Sequence, residues 1–151
     1  MLLNKRNLEN FIRGNISKQY FCVSEVADFF DVSVSYLYDF IAENYGTTLH
    51  KLIETYRLEK AIRLISEGVN FKNVCKECGY YRIRTFRGAF KRRLGISPLE
   101  FKRMLDENFE FKEKLVRNYL GILWDGVTKR TINIENKSPP ETATANGYQS
   151  E

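Results

Sequence analysis

The chain has 151 residues, a formal net charge of +5, 43% hydrophobic and 14% aromatic residues, enough apolar material for a packed core and too much for wholesale disorder. No apolar run approaches the roughly 18 residues of a membrane span, and the charged start around Lys5, Arg6 and Glu9 has no apolar segment of the kind a signal peptide needs. Three cysteines, Cys22, Cys75 and Cys78, make no disulfide framework, so the expected setting is a reducing one, the cytoplasm.

Proline is confined to positions 98, 139 and 140, which leaves most of the chain free to be helical. Apolar spacing follows a period of 3.6 from the start, and Leu8, Phe11 and Ile12 share one face of a helix over 5–14. A short helix over 23–30 carries Val26, Ala27, Phe29 and Phe30. The next, over 34–45, enters through Ser33 as N-cap, buries Leu37, Phe40 and Ile41, and stops at Gly46. The longest helix expected spans 48–67 and closes at Gly68. Helices over 71–78 and 82–94 follow, the latter with Phe86, Phe90 and Leu94 inward and Gly95 as its stop. Ser97-Pro98-Leu99-Glu100 combines a capping box with proline at the first helical position and opens another helix. A further helix is expected to carry Phe109, Phe111, Leu115, Val116, Tyr119, Leu120 and Leu123. From Asn133 onward the chain loses large apolar residues and reads as a disordered tail.

Charge is unevenly spread. Residues 1–46 hold 4 bases and 6 acids, whereas residues 69–103 hold 10 bases and 2 acids. One stretch therefore carries more than the whole excess, a local field that attracts a polyanion.

Part of the chain repeats. Val26-Ala27 is echoed by Val74-Cys75, and Leu37, Ile41 and Gly46 share the mutual spacing of Phe86, Phe90 and Gly95. The offset grows from 48 to 49 across the turn, so the second copy holds one extra turn residue. Each copy is a short helix, a tight turn and a longer helix, the helix-turn-helix pattern. The fold expected is all-α: a first helix-turn-helix unit at 1–46, a linker helix at 47–68, a second, basic unit at 69–104, a helical extension at 105–132 and the tail at 133–151.

The stretches VSEVADFFDVSVSYLYDFIAENYGTTLHKLIETYRLEKAIRLI and FKNVCKECGYYRIRTFRGAFKRRLGISPLEFKR carry a resemblance to the AraC/XylS-type DNA-binding domain of bacterial transcription regulators. Gly79-Tyr80, Phe86, Phe90-Lys91, Gly95 and Ser97-Pro98 stand at the intervals of that family's most recognisable segment. The resemblance implies seven helices and a recognition helix in each unit, presented to successive major-groove segments on one face of DNA. Such regulators often carry a separate sensor domain; about 20 residues precede the repeat, too few for one.

Within the second recognition helix the inward Phe86, Phe90 and Leu94 leave Arg84, Arg87 and Lys91 as an outward stripe around Gly88. Arg84, Thr85 and Arg87 are the candidate base readers, since arginine forks onto guanine O6 and N7. Arg82, Lys91, Arg92, Arg93 and the turn residue Tyr81 are candidate phosphate contacts; Tyr80 is a second turn tyrosine of the same kind. Gly88 either admits the sugar-phosphate backbone or packs tightly on the linker helix. The corresponding stripe of the first unit, Ser35, Tyr38, Asp39 and Ala42, holds no cation, and residues 21–46 contain five acids and no base. Ser35, Tyr38 and Asp39 remain its candidate base readers, with Asp39 suited to cytosine N4, but the charge favours a scaffold or protein-contact role. Asp31 stands where the family has its turn glycine, a position where aspartate is tolerated.

Cys75 and Cys78 form a lone CxxC with too few nearby ligands for zinc, and Cys75 falls on an inward position, so both read as core. No nucleophile–base set and no phosphate-cradling glycine loop is present; the expectation is no enzyme, no metal and no cofactor. The partner expected is double-stranded DNA, with RNA polymerase or another regulator as a further one, no membrane, and a monomeric protein. Two other classes stand beside this reading. One is an adaptor whose acidic first unit and C-terminal helix hold a protein partner while the basic unit anchors to nucleic acid. The other is a thiol- or metal-responsive switch through Cys75 and Cys78.

Overall fold

The computed structural model describes residues 1–136. Eight α-helices follow in order: α1 Lys5–Asn15, α2 Val23–Phe30, α3 Val34–Tyr45, α4 Leu49–Ser66, α5 Phe71–Glu77, α6 Ile83–Leu94, α7 Pro98–Glu107 and α8 Lys112–Asn136, with a single 3₁₀ turn at Phe109–Phe111 before α8. The described residues contain no strand. Helix starts follow the sequence chemistry. Asn4, Ser33, Thr48, Asn70 and Ser97 each accept a hydrogen bond from the backbone N–H three residues on, and Ser97 with Glu100 completes the reciprocal capping box. That box also holds the Glu100 carboxyl below the usual carboxylate range, the Ser97 N–H being the largest cause.

The two copies of the repeat are superimposable in their hydrogen bonding. Asp31 N–H and Gly79 N–H donate to the carbonyls of Asp28 and Lys76, while Val32 N–H and Tyr80 N–H donate to those of Ala27 and Cys75. Both copies turn through a left-handed residue, Asp31 at φ 55 and Gly79 at φ 82. The N-caps that follow are Ser33 and Arg82. The extra residue of the second copy is therefore Tyr81, which stands 68% exposed at the tip of the turn.

Two cores result, and α4 belongs to both. The first gathers Leu8, Ile12, Val26, Phe30, Leu37, Ile41, Leu52 and Tyr56. The second gathers Leu58, Ile62, Val74, Phe86, Phe90, Phe101 and Leu123. A chain of ring contacts runs through the second, Tyr80–Phe86–Phe90–Phe101–Tyr119, with centroids 5.3–5.9 Å apart. Helix α4 can serve two cores because it is apolar around most of its circumference: ten of its eighteen residues are buried.

Several expectations need correction. Phe40 is half-buried at the rim of the first core, one helical step off the stripe of Leu37 and Ile41. Phe109 and Phe111 are exposed in the 3₁₀ turn and take no part in α8's inward face. The C-terminal helix, 25 residues ending at Asn136, is longer than the 18-residue α4 that was expected to be the longest; residues 137–151 of the expected tail lie outside the described residues. Among the described residues, no helix is long and apolar enough to cross a membrane.

Candidate nucleic-acid interface

Helix α6 presents the interface most fully. Burial of Phe86, Ala89, Phe90 and Leu94 fixes its rotation, so Arg84, Thr85, Arg87, Gly88 and Lys91 all lie exposed on the opposite side. Among the described residues no carboxylate forms an ion pair with Arg84, Arg87 or Lys91; the ion pairs of α6 are made by Arg92 and Arg93. Lys91 acts electrostatically on Glu100 across the α6–α7 turn. Arg82, at the N-cap, holds its guanidinium 5.7 Å from the centroid of the exposed Tyr81 ring. The result is a stripe of three exposed cations along α6, Arg84, Arg87 and Lys91, with a fourth, Arg82, exposed at its N-cap.

Arg93 does something else. Its side chain is only 6% exposed, with Nη1 donating to Glu54 Oε1 at 2.8 Å and Nη2 donating to Thr55 Oγ1 at 2.9 Å and to the Leu123 carbonyl at 3.1 Å. A guanidinium so occupied cannot also reach a phosphate, so Arg93 leaves the set of phosphate contacts and becomes a structural tie between α6, α4 and α8. The period-3.6 reading had no means of seeing this, because position 93 borders the inward stripe and its acceptors come from distant segments. Arg92 pairs with the other oxygen of Glu54 but stays 55% exposed. Tyr80 is also relocated: its ring is buried in the second core, 8% exposed, and burial pushes its phenol well above the usual range. Of the two turn tyrosines, only Tyr81 faces outward.

For Gly88 the packing explanation fails, because a Cβ built there meets no atom within 4 Å. Its missing side chain is not required by any neighbour in the fold.

On the first unit, α3 exposes Ser35, Tyr38, Asp39 and Ala42 as expected, without a cation among them. Tyr38, Asp39 and Ala42 of α3 and the Thr85–Arg92 side of α6 border two grooves that share lining residues. A groove of about 670 Å³ between α4 and α6 is lined by Arg82, Thr85 and Arg92 together with His50, Ile53 and Phe21. A second, of about 760 Å³, is lined by Tyr38, Asp39 and Ala42 and shares His50, Ile53 and Phe21. The first turn of α4 thus forms the floor between the two recognition helices. His50, exposed in that floor, is a residue the sequence reading passed over. The repeat could have found it, since Thr48 caps α4 as Ser97 caps α7 and the residues just after each cap sit beside the preceding recognition helix.

Cys75 and Cys78 are buried. Cys75 Sγ lies 3.5 Å from the Tyr80 carbonyl, and burial pushes the Cys78 thiol up to about 12, which leaves no thiolate at neutral pH. Among the described residues no three His, Cys, Asp or Glu side chains gather where they could hold a metal ion.

Comparison with known proteins agrees with this geometry. A family model described as a helix-turn-helix domain matches residues 26–104. The xylose operon regulatory protein of Escherichia coli strain K12 is 32% identical over 81 residues, 53% of this chain and 21% of that protein. The chain therefore spans about a fifth of the length of that relative. The C-terminal domain of AraT, a response regulator from Geobacillus stearothermophilus, superimposes with a TM-score of 0.63 at 28% identity, covering 66% of this chain and 83% of that one. The DNA-binding domain of AdpA, a global transcriptional factor solved in complex with a target DNA, shares the fold with a TM-score of 0.63 at 21% identity, covering 68% and 92%. These relatives are regulators rather than enzymes. The chain belongs to the AraC/XylS-type helix-turn-helix family of DNA-binding domains found in bacterial transcription regulators.

Proposed function

We propose that this chain is a cytoplasmic, sequence-specific transcription regulator or the DNA-binding part of one, and that α6 enters the major groove. The observation that carries this reading is the exposed stripe of α6: arginines at 84 and 87 and a lysine at 91, none held by a carboxylate, on a helix whose other side is locked into a core. A helix of this diameter fits the major groove of B-DNA. Arg84 and Arg87, with Thr85 between them, read base edges, while Arg82, Lys91, the exposed part of Arg92 and the Tyr81 hydroxyl hold phosphates. Arg93 orients the helix from behind and touches no DNA.

Helix α3 approaches the next groove segment from the same side, through Ser35, Tyr38 and Asp39. Without a cation it contributes little affinity, and its carboxylates oppose phosphates. The adaptor reading draws on the same observation, for an acidic, tyrosine-bearing surface is also suited to a basic protein partner such as another regulator or a subunit of RNA polymerase. The protein acts as a monomer in the DNA-binding reading, with both units supplied by one chain.

Selection of bound duplexes from a random pool tests the proposal. A defined motif is expected, with one strongly preferred guanine that relaxes in Arg84→Ala at a cost of about 1–3 kcal/mol. Recovery of sequences with no shared motif would overturn base readout, and a uniform loss in Arg84→Ala would make that residue a phosphate contact.

A further inference from the structure

We propose that α8 is a strap that sets the separation and angle of the two recognition helices, with Trp124 as its positioning residue. The family match ends at residue 104, so this helix is an addition to the two helix-turn-helix units. Its inward residue Leu123 is wholly buried in the second core. The next residue, Trp124, packs against the first core. There the indole N–H donates to Glu59 Oε2 at 3.2 Å, and the ring meets Tyr56 edge-on with centroids 5.1 Å apart. Glu59 Oε1 in turn accepts from Arg13 of α1 at 2.8 Å, and Arg13 lies over the same Tyr56 ring. One position earlier, the Leu123 carbonyl accepts from Arg93 of the second recognition helix. Two successive residues of α8 therefore grip α6 on one side and the α1–α4 corner of the first unit on the other.

The strap matters because, among the described residues, the other ties between the units run through helix α4, to which Arg92 and Arg93 bind at Glu54 and Thr55, and through the Gly79 turn and Arg57 at the carbonyls of Ile16 and Lys18. Two modules that rock about one helix reach successive grooves over a range of spacings. Two modules held at a fixed angle reach one spacing, and they bind it at a higher effective concentration. The strap makes the chain selective for the distance between half-sites, a property that base contacts alone do not supply. This rests on the reading that both recognition helices meet DNA, so its test has an arm that needs no DNA.

In that arm, spin labels are placed on Glu43→Cys in α3 and Arg103→Cys in α7, in a Cys22→Ser background where the two remaining cysteines are buried. A single narrow distance distribution is expected, broadened in Trp124→Ala and intermediate in Trp124→Phe, which keeps a ring against Tyr56 but loses the donor to Glu59; helix content is expected to stay the same. A distribution in both variants as narrow as in the parent would overturn the strap. If Trp124→Ala fails to fold, Trp124→Phe decides alone. In the DNA arm, inserting about 5 base pairs, half a helical turn, between the selected contacts of the two units should cost the wild type about two- to threefold in affinity, the small share that α3 supplies, and Trp124→Ala less. A variant that binds both spacings more weakly by one common factor has lost stability, not spacing selectivity, and would also count against the strap. If no DNA is bound at all the functional reading fails, and the label distances still judge the strap.

Discussion

Two arginines nine positions apart in the same helix stand in opposite surroundings, and burial separates them. Arg84 is exposed and free of carboxylates, whereas the Arg93 side chain is 6% exposed and fills its donors with Glu54, Thr55 and the Leu123 carbonyl. Arg93→Ala leaves Glu54 part-buried with only the exposed Arg92, and breaking a buried pair in this way costs on the order of 3 kcal/mol. Urea denaturation should show that loss, while the same experiment on Arg84→Ala should show less than about 0.5 kcal/mol, as for surface sites generally. Equal stability of the two variants would mean that the Arg93 network contributes nothing. Gly88 offers the converse case. With open space around a built Cβ, Gly88→Ala should gain about 1 kcal/mol of helix stability and, because the methyl group stands where the DNA backbone approaches, lose affinity for the selected site. Thermal unfolding with a parallel binding titration checks both halves, and unchanged affinity would refute close approach of the backbone. The exposed stripe of α6 was legible from periodicity and charge alone. The partners of Arg93 were not, because Glu54, Thr55 and Leu123 lie 30–39 positions away and pairing at that range leaves no local pattern.

At the scale of elements, the turn glycines distinguish conformational strain from contact. Gly79 and Gly95 share a φ of 82, but a Cβ on Gly79 would lie 2.0 Å from the Ile16 carbonyl oxygen, whereas one on Gly95 meets nothing within 4 Å. Gly95→Ala should therefore cost the left-handed backbone penalty alone, about 1–2 kcal/mol. Gly79→Ala adds a backbone clash between the two units and should cost clearly more, with chemical denaturation ranking the pair; the reverse order would contradict the packing of the second turn on the first unit. Caps, turns and helix limits were read from the sequence to within a residue or two, since Ser33, Thr48, Ser97, Gly46 and Gly95 act within their own neighbourhoods. The one-residue offset between the copies located an insertion, and hydrogen bonding identifies it as Tyr81. The burial of Tyr80 beside it was missed, because adjacent turn residues have no periodicity to tell inside from outside. Helix α8 was expected, yet its place across both units was not, for an apolar face announces that it packs but not against what.

For the whole molecule, the account's central claim is that DNA is held chiefly by the second unit, through exposed cations that the first unit's recognition helix lacks. Among the described residues, four cations on α6 and its N-cap form no ion pair, Arg82, Arg84, Arg87 and Lys91, while Arg92 shares Glu54 with the withdrawn Arg93. At about −0.9 per neutralised phosphate, the three cations assigned to phosphates, Arg82, Lys91 and Arg92, set a slope of log K against log salt concentration near −3. Because Asp39 of α3 borders a groove that shares lining residues with the groove beside α6, Asp39→Arg should add one phosphate contact. The most direct measurement is the salt dependence of binding to the selected duplex for the wild type, Arg87→Ala, Lys91→Ala and Asp39→Arg. The account predicts a wild-type slope near −3, a slope shallower by about one in Lys91→Ala, weaker binding at a similar slope in Arg87→Ala, and tighter binding in Asp39→Arg with a slope steeper by about one. A wild-type slope near zero, or one that Lys91→Ala leaves unchanged, would contradict it.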